Sequence, residues 1–201
     1  AKASHSYISN PGKTLDLGCG SGVVGLALAM SNKIKGTLFA SDLSEDAVNF
    51  LKINAKKYDV QVDARSGSIF DPWIHEKFDY VIDDISGVAE RIAQISPWFK
   101  ETACESGEDG SKLVIDAIES SPEHLNENGK FIFPILSLSN SEKIIESATS
   151  IFKSVEKISN KQWQLPKEMS EYKDELYELK DKKYIHFEEK YGWFLWSTDV
   201  Y

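Results

Sequence analysis

The stretch "LDLGCGSGVVGLAL", residues 15–28, decides the fold class, because a short apolar run passes directly into a glycine-rich turn and then into a helical pattern. Its glycines fit two known spacings. Gly20, Gly22 and Gly25 form G-x-G-x-x-G, the dinucleotide fingerprint, whereas Asp16 and the alternate glycines that follow it form D-x-G-x-G-x-G. Both patterns predict a turn between a strand and a helix, where a nucleotide binds.

Strand and helix patterns alternate along most of the chain. Apolar runs bounded by turn residues predict strands at 13–18, 36–42, 60–70, 77–84 and 129–136. Helical spacing of apolar residues predicts helices at 21–32, 44–59, 87–95, 111–125 and 141–152. This alternation predicts an α/β domain whose doubly wound sheet is mostly parallel.

The tail of the chain has a different pattern. Two further strands are predicted there, at 154–165 and 183–201, with a charged helical stretch at 167–182 between them. Since no crossover helix of the usual form joins these strands, we expect an antiparallel strand at or near the edge of the sheet. The expected organisation is one domain over residues 1–201, with a flexible or truncated N-terminus at 1–11 and an insertion before the last strand at 164–184.

Composition argues against several classes of protein. The chain has 201 residues, enough for one globular domain, and its net charge of −9 argues against a nucleic-acid partner, which usually meets a basic face. No apolar run is long enough to span a bilayer. Cys19, Cys104 and the four histidines lack the spacing of a disulfide framework or a metal site, and a reducing, cytoplasmic setting is expected.

Asp16 distinguishes the two glycine patterns. It lies at the carboxyl end of the first predicted strand, where open parallel sheets bind their ligands. A carboxylate there repels a pyrophosphate at close range, but it attracts the ammonium and sulfonium groups of S-adenosylmethionine. Asp42 ends the second strand, 20 residues after Gly22, and is placed to accept hydrogen bonds from ribose hydroxyls of either cofactor.

With these two segments, the sequence resembles the class I S-adenosylmethionine-dependent methyltransferases. "LDLGCGSGVVGLALA" is similar to their first motif and "FASDLSEDAVNFLKINA" to their second, and the resemblance covers residues 12–155 and extends into the tail. It implies a Rossmann-like sheet of seven strands, with the last strand antiparallel and beside the fifth. It also implies S-adenosylmethionine as the cofactor, bound by Asp16, Gly18, Cys19, Gly20, Gly22, Asp42 and Leu43.

Residues 67–72, "GSIFDP", carry a narrower similarity, to the small-domain branch that includes the glutamine methyltransferases of peptide release factors. In that branch, a segment of this kind follows the third strand and contacts the adenine. The resemblance therefore implies Ser68 and Ile69 as further cofactor contacts. The usual acid of the branch falls on Ser68, so the expected contact passes to the backbone of these two residues.

The fourth strand departs from that branch. Where the branch has Asn-Pro-Pro-Tyr, residues 84–87 read "DISG", and glutamine or adenine N-methylation is not carried over. Asp84 instead stands where a base would accept a proton from a hydroxyl or an amine, with Ser86 as a second candidate catalytic residue. Asp83 is a further candidate for the cofactor site, although side chains alternate along a strand and one of the two aspartates is expected to point into it.

Several alternatives stay open. The leading hypothesis is methyl transfer from S-adenosylmethionine to an N or O nucleophile of a small molecule or a protein side chain. A nicotinamide-dependent oxidoreductase is disfavoured by Asp16 and by the lack of a Tyr-x-x-x-Lys acid, and a non-catalytic binding module is the third hypothesis. As purely structural roles, Asp16 fits a turn or cap, Asp42 fits the flank of the next helix, Asp84 or Ser86 fits a helix cap, and the glycines fit a plain tight turn.

Overall fold

The structure, a computed structural model, describes residues 1–85, 87–99 and 104–201. They fall into two compact units. The first unit comprises residues 1–85 and 117–133, and the second lies within residues 86–116 and 134–201. Across the described ranges, no helix is both long enough and apolar enough to cross a membrane.

The secondary structure follows the alternation expected from the sequence. The strands are β1 (Gly12–Leu17), β2 (Ile34–Asp42), β3 (Val62–Ser66), β4 (Phe78–Asp83), β5 (Leu125–Ile132), β6 (Pro134–Leu136), β7 (Ser159–Gln164), β8 (Glu188–Lys190) and β9 (Trp193–Val200). The helices are α1 (Lys2–Tyr7), α2 (Val23–Met30), α3 (Glu45–Lys57), α4 (Glu90–Ile95), α5 (Lys112–Ser120), α6 (Ser141–Ile151) and α7 (Lys173–Asp181). Short 3-10 helices lie at Asp71–Trp73, Pro97–Phe99, Ser121–His124 and Lys167–Tyr172.

The first unit contains a parallel sheet with the strand order β3-β2-β1-β4-β5. The order runs outward in one direction from β1 to β3 and in the other direction from β4 to β5, so β1 and β4 flank the topological switch point. In register, Leu17 lies opposite Ser41 on one side and opposite Asp83 on the other. The carboxyl ends of β1, β2 and β4 therefore meet at one edge, where ligands bind in sheets of this kind.

Apolar burial holds this sheet together. Leu15, Leu17 and Leu38 are almost completely buried, and each such side chain contributes about 1.5–3 kcal/mol relative to an exposed one. The helix α3 begins where the sequence predicts it, since the Oγ atom of Ser44 accepts the N–H of Ala47 at 3.3 Å. This cap fixes the start of the helix directly after β2, next to the ligand edge.

The second unit contains an antiparallel sheet with the order β6-β9-β7, in which β8 also pairs with β9. Helices α4, α6 and α7 belong to the same unit. Its apolar core includes Val88, Ile92, Leu138, Leu165, Met169, Leu176, Leu179, Ile185, Phe187 and Phe194. The rings of Phe187 and Phe194 meet edge to face, with centroids 5.1 Å apart, which is a favourable aromatic geometry.

The predicted α/β class, with a doubly wound and mostly parallel sheet, is confirmed. The strands do not form a single sheet of seven, however, because five parallel strands form one sheet and four antiparallel strands form another. The physical reason lies at Pro134, which has no backbone N–H and interrupts the strand expected at 129–136. The chain leaves the parallel sheet at Ile132 and enters the antiparallel sheet at Pro134.

The tail also differs in detail from its predicted form. The single strand expected at 183–201 is two strands, β8 and β9, joined by Tyr191 and Gly192. Both linking residues have positive φ, 53° and 79°, which is the conformation of the two-residue turns favoured in hairpins. Glycine signals such a turn, but tyrosine does not, and the hairpin was therefore missed in the sequence.

Candidate functional site

The glycine-rich turn joins β1 to α2, and its three alternate glycines all adopt left-handed backbone conformations. The φ angles are 75° at Gly18, 50° at Gly20 and 86° at Gly22. A Cβ atom on Gly18 would lie 3.0 Å from the carbonyl carbon of Asp84, and one on Gly22 would lie 2.1 Å from the Cδ1 atom of Leu51. At Gly20, by contrast, nothing lies within 4 Å of that position. The turn thus packs closely on two sides and leaves open space at Gly20.

Asp16 is buried below this turn and is 1% exposed. Its Oδ2 atom accepts the N–H of Gly25, in the first turn of α2, at 2.8 Å. Its Oδ1 atom is buried and has no hydrogen-bond partner among the described residues. Burial raises the pKa of Asp16 to about 7; the Gly25 bond lowers it, and the charges of Asp84 and Asp42 raise it. One carboxylate oxygen of Asp16 therefore caps α2. Because the pKa lies near 7, nearby charges determine how much of the Asp16 carboxyl group is ionised at neutral pH.

Asp83 and Asp84 follow each other at the carboxyl end of β4, next to β1. Asp83 is 2% exposed; its Oδ1 atom accepts the N–H of Ile85 at 2.9 Å, while its buried Oδ2 atom has no partner within the described ranges. Burial raises the pKa of Asp83 to about 8. Asp84 is exposed, its N–H donates to the carbonyl of Leu17 at 2.8 Å, and partial desolvation raises its pKa. Together with Asp16, three carboxyl groups lie at the switch point.

Asp42, at the end of β2, links the turn to the next helix. One carboxylate oxygen accepts the N–H of Gly20 at 2.8 Å, and the other accepts the N–H of Ser44 at 2.9 Å. A carboxylate offers about four lone-pair sites, so these two bonds leave room for a ligand. The side chain of Leu43, the next residue, is 72% exposed. An acceptor and an apolar surface therefore lie side by side beyond β2.

The segment after β3 lies beside the end of β2, because the N–H of Gly67 donates to the carbonyl of Asp42 at 3.0 Å. Ser68 is exposed, and its carbonyl accepts the N–H of Asp71 at 2.9 Å. Ile69 is half-buried and has a φ of 43°. Left-handed conformations are strained for β-branched residues, and strained residues cluster at functional sites.

Cys19 has a structural position within the turn. It is 6% exposed, and its N–H donates to the carbonyl of Ser41 at 3.0 Å. Burial and the charges of Asp16 and Asp42 raise the pKa of the Cys19 thiol to about 12, so the thiol stays protonated at neutral pH. The described residues contain no group of His, Cys, Asp and Glu that suits a metal ion. Ser86 lies outside the described residues.

The cofactor residues expected from the sequence thus lie around one edge of the parallel sheet. The turn, Asp16 and Asp42 are joined to each other or to the adjoining helices by hydrogen bonds, and Asp83 and Asp84 lie on the neighbouring strand. Sequence reasoning missed the strain at Ile69 and the unpaired oxygen of Asp83. No local signal marks either feature, because both depend on how the chain packs.

Comparison with known proteins gives a family. A model described as a methyltransferase domain matches residues 8–186. A release factor glutamine methyltransferase from Streptococcus pneumoniae is 29% identical over 126 residues, or 60% of this chain and 44% of that protein. A ribosomal protein L11 methyltransferase from Lactobacillus johnsonii is 27% identical over 155 residues, or 75% of this chain and 41% of that protein. The chain spans less than half the length of these curated relatives.

Solved structures share the fold. The YcgJ protein of Bacillus subtilis has a TM-score of 0.64 at 11% identity, over 99% of this chain and 94% of that one. A ribosomal protein L11 methylase from Lactobacillus delbrueckii subsp. bulgaricus has a TM-score of 0.55 at 16% identity, over 98% of this chain and 74% of that one. Since the family model covers most of its length, the chain belongs to the methyltransferase domain family, as its resemblance to the class I methyltransferases predicts.

Proposed function

We propose that this chain transfers a methyl group from S-adenosylmethionine to a nitrogen or oxygen nucleophile of a small molecule or of a protein side chain. One observation carries the proposal. At the switch point, Gly20 faces open space, while buried oxygens of Asp16 and Asp83 have no hydrogen-bond partner among the described residues. Such a site suits a nucleoside ligand with a positive charge, since unpaired buried oxygens are costly and a cation offsets that cost.

The residues around the turn fit the parts of this cofactor. Asp42 keeps lone pairs for ribose hydroxyls after accepting two N–H groups. Leu43 and Ile69 offer apolar surface for the adenine. In the free chain the pKa values of Asp16 and Asp83 are about 7 and 8, and a cation beside them favours loss of their protons. Once ionised, the two carboxylates supply negative charge toward the ammonium and sulfonium groups. When bound, S-adenosylmethionine supplies a methyl group on a positively charged sulfur, which is already a good leaving group.

Asp84 is the residue that we expect to contact the methyl acceptor. Its side chain is exposed at the ligand edge, directly after Asp83, and partial desolvation raises its pKa. A raised pKa makes its carboxylate a better proton acceptor. Asp84 therefore orients a hydroxyl or an amine and accepts the proton that this group loses as the new bond to carbon forms.

The substitution Asp84→Asn tests this assignment. It keeps the size of the side chain but removes the base, and we expect turnover to fall by about 10²–10⁴-fold, the usual contribution of general base catalysis. The affinity for S-adenosylmethionine should stay within about twofold of the wild type, because Asp84 faces the acceptor. Labelled methyl transfer into fractionated metabolite and protein extracts measures turnover, and calorimetry measures affinity. Asp59→Asn, an exposed aspartate after α3, is the matched control, and unchanged turnover in Asp84→Asn would exclude the base role.

Ligand binding tests the proposed function itself. Calorimetry with S-adenosylmethionine, S-adenosylhomocysteine and NAD should give saturable binding for the two sulfur nucleosides, with dissociation constants of about micromolar order, and none for NAD. Each ligand that binds only the folded chain also raises its melting temperature. Binding of NAD in place of the sulfur nucleosides would overturn the proposal, and binding without any labelled transfer would indicate a non-catalytic module.

The acceptor class follows from the relatives only in part. Two relatives are named for the methylation of proteins, a release factor and ribosomal protein L11, which supports a protein side chain as one acceptor class. The segment "DISG" at residues 84–87 lacks the Asn-Pro-Pro-Tyr loop and so opposes glutamine as the acceptor. We further propose that residues 1–201 act as one methyltransferase domain, in which the insertion at 164–184 contributes to the choice of substrate.

Ile69→Asn tests the adenine contact. Asparagine tolerates positive φ far better than isoleucine, so the free energy of unfolding should rise by about 1 kcal/mol as strain is released. The affinity for S-adenosylmethionine should fall by about 5–10-fold, because apolar surface for the adenine is lost. Ile74→Asn is the control, since Ile74 lies in the same segment and is 71% exposed. A variant that gains stability without losing affinity would place the adenine elsewhere.

A further inference from the structure

A cavity of about 290 Å³ in the second unit shares no residue with the cofactor site. Its lining includes Ser139, Ser141, Glu142, Lys180, Lys183 and His186. Two lysines and a histidine thus line it together with a single acidic residue, Glu142. This balance is opposite to that of the whole chain, whose net charge is −9. The positive charge of the cavity lining therefore does not follow from the overall composition, and it favours an anionic ligand.

The walls of this cavity are anchored in the core of the second unit. Leu138, Leu179 and Ile185 belong to that core and are 0%, 7% and 3% exposed. Each is followed in the sequence by a lining residue, in order Ser139, Lys180 and His186. The N–H of His186 also donates to the carbonyl of Ser137 at 2.5 Å, which joins the two walls. The polar side chains therefore project from fixed backbone positions, as a binding site requires.

The two lysines differ in how they are held. The Nζ atom of Lys180 donates to the carbonyl of Phe187 at 2.8 Å, which fixes the ammonium group and leaves two N–H donors. Lys183 has no ion-pair partner among the described residues, whereas its neighbour Lys182 is paired with Glu178 at 2.7 Å. Lys183 is therefore the cation with most freedom to meet a ligand.

Two acids near the cavity are paired with lysines outside its lining. Asp109, which accepts a hydrogen bond from the lining residue Asn140 at 3.3 Å, pairs with Lys143 at 3.4 Å. Glu188 lies close enough to His186 and Lys180 for both to lower its pKa, but Lys190 lowers that pKa most and pairs with Glu188 at 2.6 Å. Helix α6 begins at the cavity, and the positive end of its dipole adds to the potential of the lysines. The hydroxyls of Ser139 and Ser141 donate to the carbonyls of Leu136 and Ser139, so the ammonium groups and the imidazole are the groups that suit an oxyanion.

We propose that this cavity binds a phosphate group, either as the free ion or on a small phosphate monoester. Two ammonium groups and an imidazole provide donors for its oxygens. Ligand cavities usually range from about 300 to 1,000 Å³, so this one is at the small end and suits a compact ligand. The proposal does not depend on the methyl donor, and its failure would leave the proposed function untouched.

The test is titration of the full chain with inorganic phosphate and with glycerol phosphate, against chloride at equal ionic strength, without any methyl donor. We expect saturable binding with a dissociation constant of about 1 mM or below for phosphate. The main-chain amide signals of Ser141 and Glu142 should shift on titration. Tighter binding of glycerol phosphate would assign the cavity to a monoester, and equal binding would assign it to the phosphate group alone.

Two variants distinguish a specific phosphate site from nonspecific electrostatic attraction. Lys183→Gln should weaken phosphate binding by about tenfold, whereas Lys182→Gln, one residue away and with the same change of charge, should change it by less than about twofold. Both lysines are exposed, so neither change should affect folding. Equal loss in the two variants, or binding that does not saturate, would overturn the proposal.

Discussion

Gly20→Leu is expected to weaken the binding of S-adenosylmethionine by at least about 100-fold, or about 2.8 kcal/mol. A Cβ atom at Gly20 meets nothing within 4 Å, so a longer side chain projects into the open space where we place the cofactor. The backbone keeps a φ of 50°, which costs a leucine about 1–2 kcal/mol and lowers the melting temperature by roughly 2–8 °C. Calorimetry and thermal unfolding measure the two effects separately.

Gly36→Leu is the matched control for this prediction. Gly36 lies in β2, has a φ of 73°, and its Cβ position also has nothing within 4 Å. The same backbone strain should therefore lower the melting temperature by a similar amount, while the affinity for the cofactor stays unchanged. A similar loss of affinity in both variants would mean that destabilisation, rather than blocked access, accounts for the effect at Gly20. If Gly20→Leu binds S-adenosylmethionine with the affinity of the wild type, the cofactor does not bind at this turn.

Asp16→Asn is expected to weaken S-adenosylmethionine binding by about 10–100-fold at pH 7.5, because the neutral amide cannot attract the cationic ligand. In the wild type, the pKa of Asp16 is about 7. Its ionised fraction thus rises from about one tenth at pH 6 to about three quarters at pH 7.5, which predicts an affinity increase of about eightfold over this range. In Asp16→Asn, the affinity for S-adenosylmethionine should lack this eightfold increase between pH 6 and pH 7.5.

The stability of the ligand-free chain gives a second measure of the same group. The folded pKa of Asp16, about 7, lies above the ordinary value of 3.8, so the folded chain holds a proton that the unfolded chain releases. The contribution of Asp16 to stability therefore falls as pH rises from about 4 to 7 and then levels off. A shift of the pKa from 3.8 to about 7 corresponds to about 4 kcal/mol, so Asp16→Asn should lack a fall of about this size.

Asp59→Asn removes the same charge from an exposed position after α3 and is the control for both measurements. Its affinity and its stability curve should match those of the wild type. If Asp16→Asn binds S-adenosylmethionine as tightly as the wild type at every pH, Asp16 is a helix cap and contributes nothing to cofactor recognition.

Much of the architecture could be predicted from local chemistry. Glycine is the residue that adopts positive φ at low cost, so the spacing of Gly18, Gly20 and Gly22 marked a turn whose backbone is left-handed at those three points. Ser44 and the acids after it marked the start of α3, because a hydroxyl cap and negative charge favour a helix N-terminus. Such signals need no knowledge of distant residues.

Other features have no local signal. Isoleucine is disfavoured at positive φ, and Ile69 adopts it within the segment held by the bond from Gly67 to Asp42. The division of the strands into two sheets at Pro134 depends on which strands find partners on each side of the break. Periodicity along the chain contains no information on such pairings. The hairpin turn at Tyr191 was missed for another reason, since tyrosine does not signal the positive φ that it adopts there.

The sequence by itself determined the alternation of strands and helices, the glycine turn and the acids that end the strands, since each follows from conformational preference and charge within a few residues. Only the tertiary structure decided the pKa values, and so the protonation states, of those acids. Asp16 and Asp83 acquire raised pKa values because burial removes water from carboxylates that are hydrogen-bonded on one oxygen only. The same holds for the basic cavity, where Lys180 and Lys183 join residues about forty positions away, since long-range packing sets the electrostatic environment of each charge.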